Sequence, residues 1–288
     1  MQHEVSTHKL RRNKSTTGFS FIELLLAMFI SSVMLVVMTG FVQKNIGTRF
    51  DMGLQTEAAQ GIQALQSMVS QEVRQAGACL PTAGPFIALA GVDSGTLDTL
   101  TARIGKTSAT TGRCINPNLT EVDAAQGATT VQLLNTGDFA VGGRVYVTNL
   151  INGDLNTVVS KTATTLSLAV PLSVSYPKNS STVYAIDERT YKVMTGPLGH
   201  LALHVSIDNG TFQPLVDGVQ QFRVQYLEGP CTPTCSVLDF PASTADWYKV
   251  AEISLTTKVT GHKDQTRSGQ PVTETGQITI KPRNLYLQ

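Results

Sequence analysis

No proline occurs before Pro81, and from Ser15 to Gln43 no residue other than Glu23 is charged. The first absence removes the residue that breaks helices, so the spacing predicts one uninterrupted helix from about Phe19 to about Ala76. The second leaves an apolar run from Phe19 to Val42, long enough for the about 20 residues that span a bilayer. An ordinary secretory signal has an apolar core of only about 7–15 residues with its cleavage site behind it. That class is excluded. A plain membrane anchor fits the length but gives no reason for Glu23. A carboxylate at bilayer depth costs roughly 2.5–3.5 kcal/mol, so an unpaired one marks function.

Charge of one sign is also missing. The chain carries 22 bases and 21 acids, a net +1. Residues 1–18 hold Lys9, Arg11, Arg12 and Lys14 against Glu4, a net of +3, which leaves 18 bases and 20 acids, or −2, for the remainder. So balanced a chain has no electrostatic footprint for nucleic acid or for anionic lipid. The basic block ahead of the apolar run instead predicts a cytoplasmic leader and an exported C-terminal bulk.

Cysteines are few: Cys79, Cys114, Cys231 and Cys235. All fall on the exported side, where an oxidising compartment makes disulfides the expectation. Four cysteines allow three connectivities. The turn-rich stretch Gly229-Pro230-Cys231-Thr232-Pro233-Thr234-Cys235 brings its own ends together and favours Cys79–Cys114 with Cys231–Cys235. The spacing of the last two fits neither a zinc knuckle nor a C-x-x-C redox site.

No nucleophile motif, phosphate loop or paired-carboxylate signature is present, so neither an enzyme nor a cofactor is expected. His200 and His204 flank an alternating run, Leu201 to Ile207. On a strand they stand about 13 Å apart and cannot share a metal. Asn152, Asp154 and Asn156 supply oxygens at alternate positions, but the rest of a calcium loop is missing and Asn152-Gly153 reads as a turn. No metal site is expected. Tyr146, Tyr184, Tyr191, Tyr226 and Trp247 read as strand-borne core rather than as a binding surface.

Beyond the apolar run, Leu54, Ala58, Ile62, Leu65, Val69, Val73 and Ala76 recur at steps of three and four, the stripe of an amphipathic helix. Gln55, Gln63, Gln66, Gln71 and Arg74 lie on its other faces. Residues 77–128 read as loop. From Thr129 onward come short β-branched runs: 129–134, 144–150, 157–160, 164–170, 182–187, 190–195, 201–207, 219–227, 248–259 and 277–281. Asn152-Gly153 and Asn209-Gly210 predict hairpins. The expected class is α+β: a long N-terminal helix, its first half membrane-spanning and its second amphipathic, carrying a mainly antiparallel β-rich head.

The order of basic leader, Gly18, Phe19 and Glu23 resembles the class III signal peptide of type IV pilins and type II secretion pseudopilins. Gln71-Glu72-Val73-Arg74-Gln75-Ala76-Gly77-Ala78-Cys79 resembles the helix exit of PilW-type minor pilins. Val216-Asp217-Gly218-Val219-Gln220-Gln221-Phe222-Arg223-Val224-Gln225-Tyr226 is similar to a strand segment of those proteins and of minor pseudopilin J. The resemblance implies that a prepilin peptidase removes residues 1–18 by cutting between Gly18 and Phe19. It implies methylation of the new Phe19 amine, a helix over 19–78 (19–42 in the bacterial inner membrane) and a periplasmic head over 79–288. It implies that Glu23 attracts the Phe19 amine of a neighbouring subunit, so that the helix packs with other minor pilins and the major pilin. The expected function is a structural minor pilin that primes or caps type IV pilus assembly, at or near the fibre tip on the cell surface. A minor pseudopilin of type II secretion is the alternative within the same machinery. An anchored adhesin or DNA-capture subunit is the alternative outside it.

Overall fold

The structure is a computed structural model that describes residues 18, 20–81, 84–108, 110–115, 117–197, 199–229, 236–238, 240–241, 244–261 and 272–282. The chain divides into two compact units between Phe50 and Asp51. Helix α1, Phe21–Gln75, is a single element of 55 residues. In the first unit its side chains face outward, and Phe21, Ile22, Val36 and Met38 are each exposed. Among the described residues it is the one helix long and apolar enough to cross a membrane, with a mean hydropathy of 2.5 over its most apolar window.

In the second unit the remainder of α1 joins a β-rich head. Leu65, Val69, Val73 and Ala76 are fully buried, and Leu54, Ala58 and Ile62 nearly so. This is the stripe that the three-and-four spacing marks out. Each large aliphatic member contributes about 1.5–3 kcal/mol by leaving water. The helix stops where Gly77 takes a φ of +81°, a left-handed cap that glycine adopts without strain. There the Ala78 amide donates to Gln75 O at 2.9 Å, and the Gly77 amide donates to Arg103 O at 2.9 Å, tying the helix end to the head.

Among the described residues fourteen strands follow. The first seven are β1 (Leu89–Val92), β2 (Thr99–Gly105), β3 (Asn118–Leu119), β4 (Thr130–Gln132), β5 (Arg144–Thr148), β6 (Gly153–Lys161) and β7 (Thr165–Leu168). Then come β8 (Thr182–Thr195), β9 (Leu201–Ile207), β10 (Gln213–Asp217), β11 (Val219–Glu228) and β12 (Ser236–Leu238). After the short helix α2 (Thr244–Trp247), β13 (Val250–Thr260) and β14 (Thr273–Ile280) complete the described fold. Every strand pair is antiparallel. A ten-stranded sheet runs β1-β2-β8-β5-β6-β7-β4, with β3 and β9 also on β8 and β10 on β9. A four-stranded sheet runs β12-β11-β13-β14. The architecture is α+β, a long N-terminal apolar helix and an antiparallel β-rich head.

Two joints connect the sheets. The chain passes from β10 to β11 through Gly218, whose φ is +74° and where a Cβ would stand 2.2 Å from Thr260 O. Only glycine fits there. Asp98, buried, accepts from the Ser94 amide at 2.9 Å and from the Val224 amide of β11 at 2.8 Å, so both of its oxygens are used. The main core lies among the α1 stripe, β2, β11 and β13, and includes Phe222, Tyr226 and Trp247. A second core fills the β4–β8 region around Leu133, Leu166 and Tyr176.

Several expectations are corrected. Residues 77–128 are not all loop, because they contain β1, β2 and β3. The runs 182–187 and 190–195 are one strand, β8. The β5–β6 turn is not centred on Asn152-Gly153: Thr148 pairs with Gly153, so residues 149–152 form the loop. Asn149 Oδ1 holds that loop by accepting from the Ile151 and Asn152 amides at 3.1 and 2.7 Å. The β9–β10 turn is centred on Asp208-Asn209, at φ 51° and 63°, with the Gly210 amide donating to Ile207 O at 2.9 Å. Two left-handed residues in a row make this a type I′ turn, the geometry that matches strand twist.

Candidate functional site

The sequence singles out the start of α1, and there the structure shows a closed first turn. Ser20 precedes the helix, and its amide donates to Oε2 of Glu23 at 3.0 Å, while the Leu24 amide donates to Ser20 O at 3.2 Å. Glu23 therefore occupies the third helical position and reaches back to the N-cap amide, one half of a capping box. The helix dipole also favours a carboxylate there. Ser20-Phe21-Ile22-Glu23 carries the S-x-x-E pattern of this motif, a signal that the sequence reading passed over.

The cap uses one carboxylate oxygen. Oε1 has no partner among the described residues. Glu23, Leu24, Ala27, Met28 and Ser31 form an exposed face on this side of the helix. An unpaired acceptor beside small and apolar side chains can receive a cationic donor from another molecule. Gly18 is exposed, and Phe19 lies outside the described residues.

Cys79 and Cys114 are joined, with their Cα atoms 5.3 Å apart. Cys79 lies just beyond the Gly77 cap, after Ala78, so the disulfide fastens the exit of α1 to the segment after β2. Gly105 makes room for it: a Cβ there would lie 2.4 Å from Cys79 O. Cys231 and Cys235 lie outside the described residues.

A charged cluster sits beside the helix exit. Glu72 of α1 pairs with Arg189, Glu188 receives Arg103 Nε at 2.6 Å and faces Arg144 Nε at 3.2 Å, and Lys106 lies 3.5 Å from Asp187. Burial raises the Glu72 carboxyl above its ordinary range more than Arg189 lowers it. Burial also pushes the Tyr191 hydroxyl up to about 12, with the charge of Glu72 adding to the effect. The Glu72–Arg189 pair braces the helix against β8, and the other pairs tie β2, β5 and the segment after β2 to the same strand.

The remaining candidates are structural. His204 is buried on β9 with Nδ1 3.0 Å from Ala202 O. Asp154 Oδ2 accepts from the Ser173 amide at 2.8 Å and from Tyr176 Oη at 2.9 Å, and Asn156 bonds Val170 through both ends of its amide. Among the described residues no group of three metal-ligating side chains converges. Tyr146, Tyr191, Tyr226 and Trp247 are buried, and Tyr184 is partly so. No protein-family model and no curated protein matches the chain.

Proposed function

We propose that the chain is a structural minor pilin of the PilW-like class, anchored by the apolar half of α1 and assembled through that helix. Glu23 is the observation that carries this reading. It is the one charge in a long exposed apolar stretch, and only one of its oxygens is used by its own helix. In the proposed cycle a prepilin peptidase cuts between Gly18 and Phe19, and the Phe19 amine of one subunit meets Glu23 of another. In low dielectric such a pair is favourable only at close range, so it fixes the axial register of neighbouring helices. Before assembly the subunit rests in the bacterial inner membrane with its head in the periplasm. Afterwards it sits with other minor pilins at or near the fibre tip.

A deletion strain scored for surface fibres, motility, protein secretion and DNA uptake tests the proposal. Loss of fibres, restored by the wild-type gene and not by one encoding Glu23→Ala, is expected. Normal fibres with defective secretion would move the chain to the pseudopilins of type II secretion. Normal fibres and secretion with lost surface adhesion or DNA uptake would favour an anchored binding subunit.

A further inference from the structure

Among the described residues one sheet edge is long, unbroken and without a backbone partner. Edge strands invite pairing unless they are short, bulged or interrupted by proline or lysine. β1, β3, β4 and β12 have 4, 2, 3 and 3 residues. β10 contains Pro214 and a register shift between Pro214 and Val216. β14 has eight residues, contains neither proline nor lysine, and keeps unbroken register with β13 from Thr273↔Thr260 to Ile280↔Ile253.

The direction of its free groups follows from one bond. The Gly261 amide donates to Val272 O at 2.9 Å, so residue 272 points its backbone toward β13. In an antiparallel strand successive residues alternate sides. Thr273, Thr275, Gln277 and Thr279 therefore present their N–H and C=O groups outward, and all four are exposed. Those groups have no partner among the described residues. Glu274, the single charge on the strand, accepts from Gln55 Nε2 at 2.7 Å but meets no cation among the described residues.

We infer that β14 is a docking edge for an extended strand of a different polypeptide, which runs antiparallel to it and carries a basic residue next to Glu274. Donors and acceptors alternating at strand spacing are complementary to another extended backbone. On the face toward α1, where Ile278 and Ile280 lie, the incoming strand has apolar side chains; beside Thr275 and Gln277 it has polar ones. A second copy does not suit the edge: self-pairing about a two-fold axis would set threonine, glutamine or isoleucine of the same strand beside Glu274 and supply no cation.

The test uses the full-length chain in detergent micelles and a synthetic eight-residue peptide of alternating threonine and valine, with one lysine set opposite Glu274. Its partner probe is the same peptide N-methylated at alternate residues, which lacks the pairing donors. Fluorescence anisotropy should show saturable binding of the first peptide and at least about tenfold weaker binding of the second, the scale of lost backbone bonds. Thr275→Pro removes one outward N–H while sparing the β13 ladder, because proline is accepted where the N–H faces solvent. It should weaken binding by about tenfold, whereas Thr275→Val stays within about twofold of wild type and Glu274→Gln weakens binding. Equal binding of the two peptides, or no saturable binding, would overturn the inference; the peptide pair decides the matter even if Thr275→Pro fails to fold. Self-association of the full chain that Thr275→Pro abolishes would also overturn it, by assigning the edge to a second copy.

Discussion

The Ser20 amide and the Glu23 carboxylate form a 3.0 Å hydrogen bond that closes the first turn of α1. The same carboxylate is the one proposed to receive a neighbour's amine, which would add an intermolecular task to this local one. Glutamine at this position keeps the cap, since capping boxes accept Glu or Gln, but carries no charge. Glu23→Gln should therefore be made, cleaved and retained in the membrane with helicity unchanged, and be poorly recovered in sheared fibres or in pull-downs with other minor pilins. Glu23→Ala should fail in the same way, because leaving one charge of a buried pair alone costs about 3–5 kcal/mol. Normal co-assembly of Glu23→Gln would reduce Glu23 to a helix cap.

Gly218 and Gly95 offer a matched comparison. Both have positive φ, +74° and +81°, but a Cβ on Gly218 meets Thr260 O at 2.2 Å whereas one on Gly95 meets nothing. Gly95→Ala should cost about 1–2 kcal/mol, the conformational strain alone. Gly218→Ala should cost clearly more, read as a lower melting temperature of the head, because backbone must move to admit it. Equal losses would mean that the joint between the sheets is looser than its geometry.

Much of the fold is legible in the sequence where one physical demand acts at a time. Leu54 through Ala76 need only cover one face of a helix, and every member of that stripe is buried. The charged middle of β8 is where such reading fails. Glu188 and Arg189 look like a break between two strands. They continue one, because Arg103 and Glu72 come from elsewhere in the sequence to pair with them. β2 is hidden for a related reason: its consecutive buried residues Leu100, Ala102 and Thr101 do not alternate, since both faces of the strand are covered. At the site, Gly18 and Glu23 stand out by composition. The Ser20 cap is a local pattern overshadowed by the apolar run around it.

The Glu72–Arg189 pair gives a pH dependence of unusual sign. Burial holds the Glu72 carboxyl above its ordinary range, so between its unfolded and folded values the folded chain binds the proton more tightly. Stability contributed by this group is full below the unfolded value and is lost as pH rises through the folded one. Wild type should lose stability relative to Glu72→Gln as pH rises from about 4 toward neutrality, measured by thermal melting of the full chain in detergent. A wild-type advantage that grows over that range would mean the Arg189 contact outweighs burial.

Breaking the Cys79–Cys114 bond, which closes a sequence separation of 35, should lower head stability by roughly 3–4 kcal/mol on the chain-entropy account. Cys79→Ser with Cys114→Ser, compared with wild type under oxidising conditions, gives the number. A loss under about 1 kcal/mol would mean that the Gly77 cap alone holds the helix exit.

The proposed function rests on processing at one peptide bond, and intact-mass spectrometry of the chain purified from its native membranes or fibres reads that bond directly. The account predicts a chain beginning at Phe19 and heavier than the unmodified sequence by one methyl group. A chain that retains Met1, with Gly18-Phe19 uncut, would contradict it.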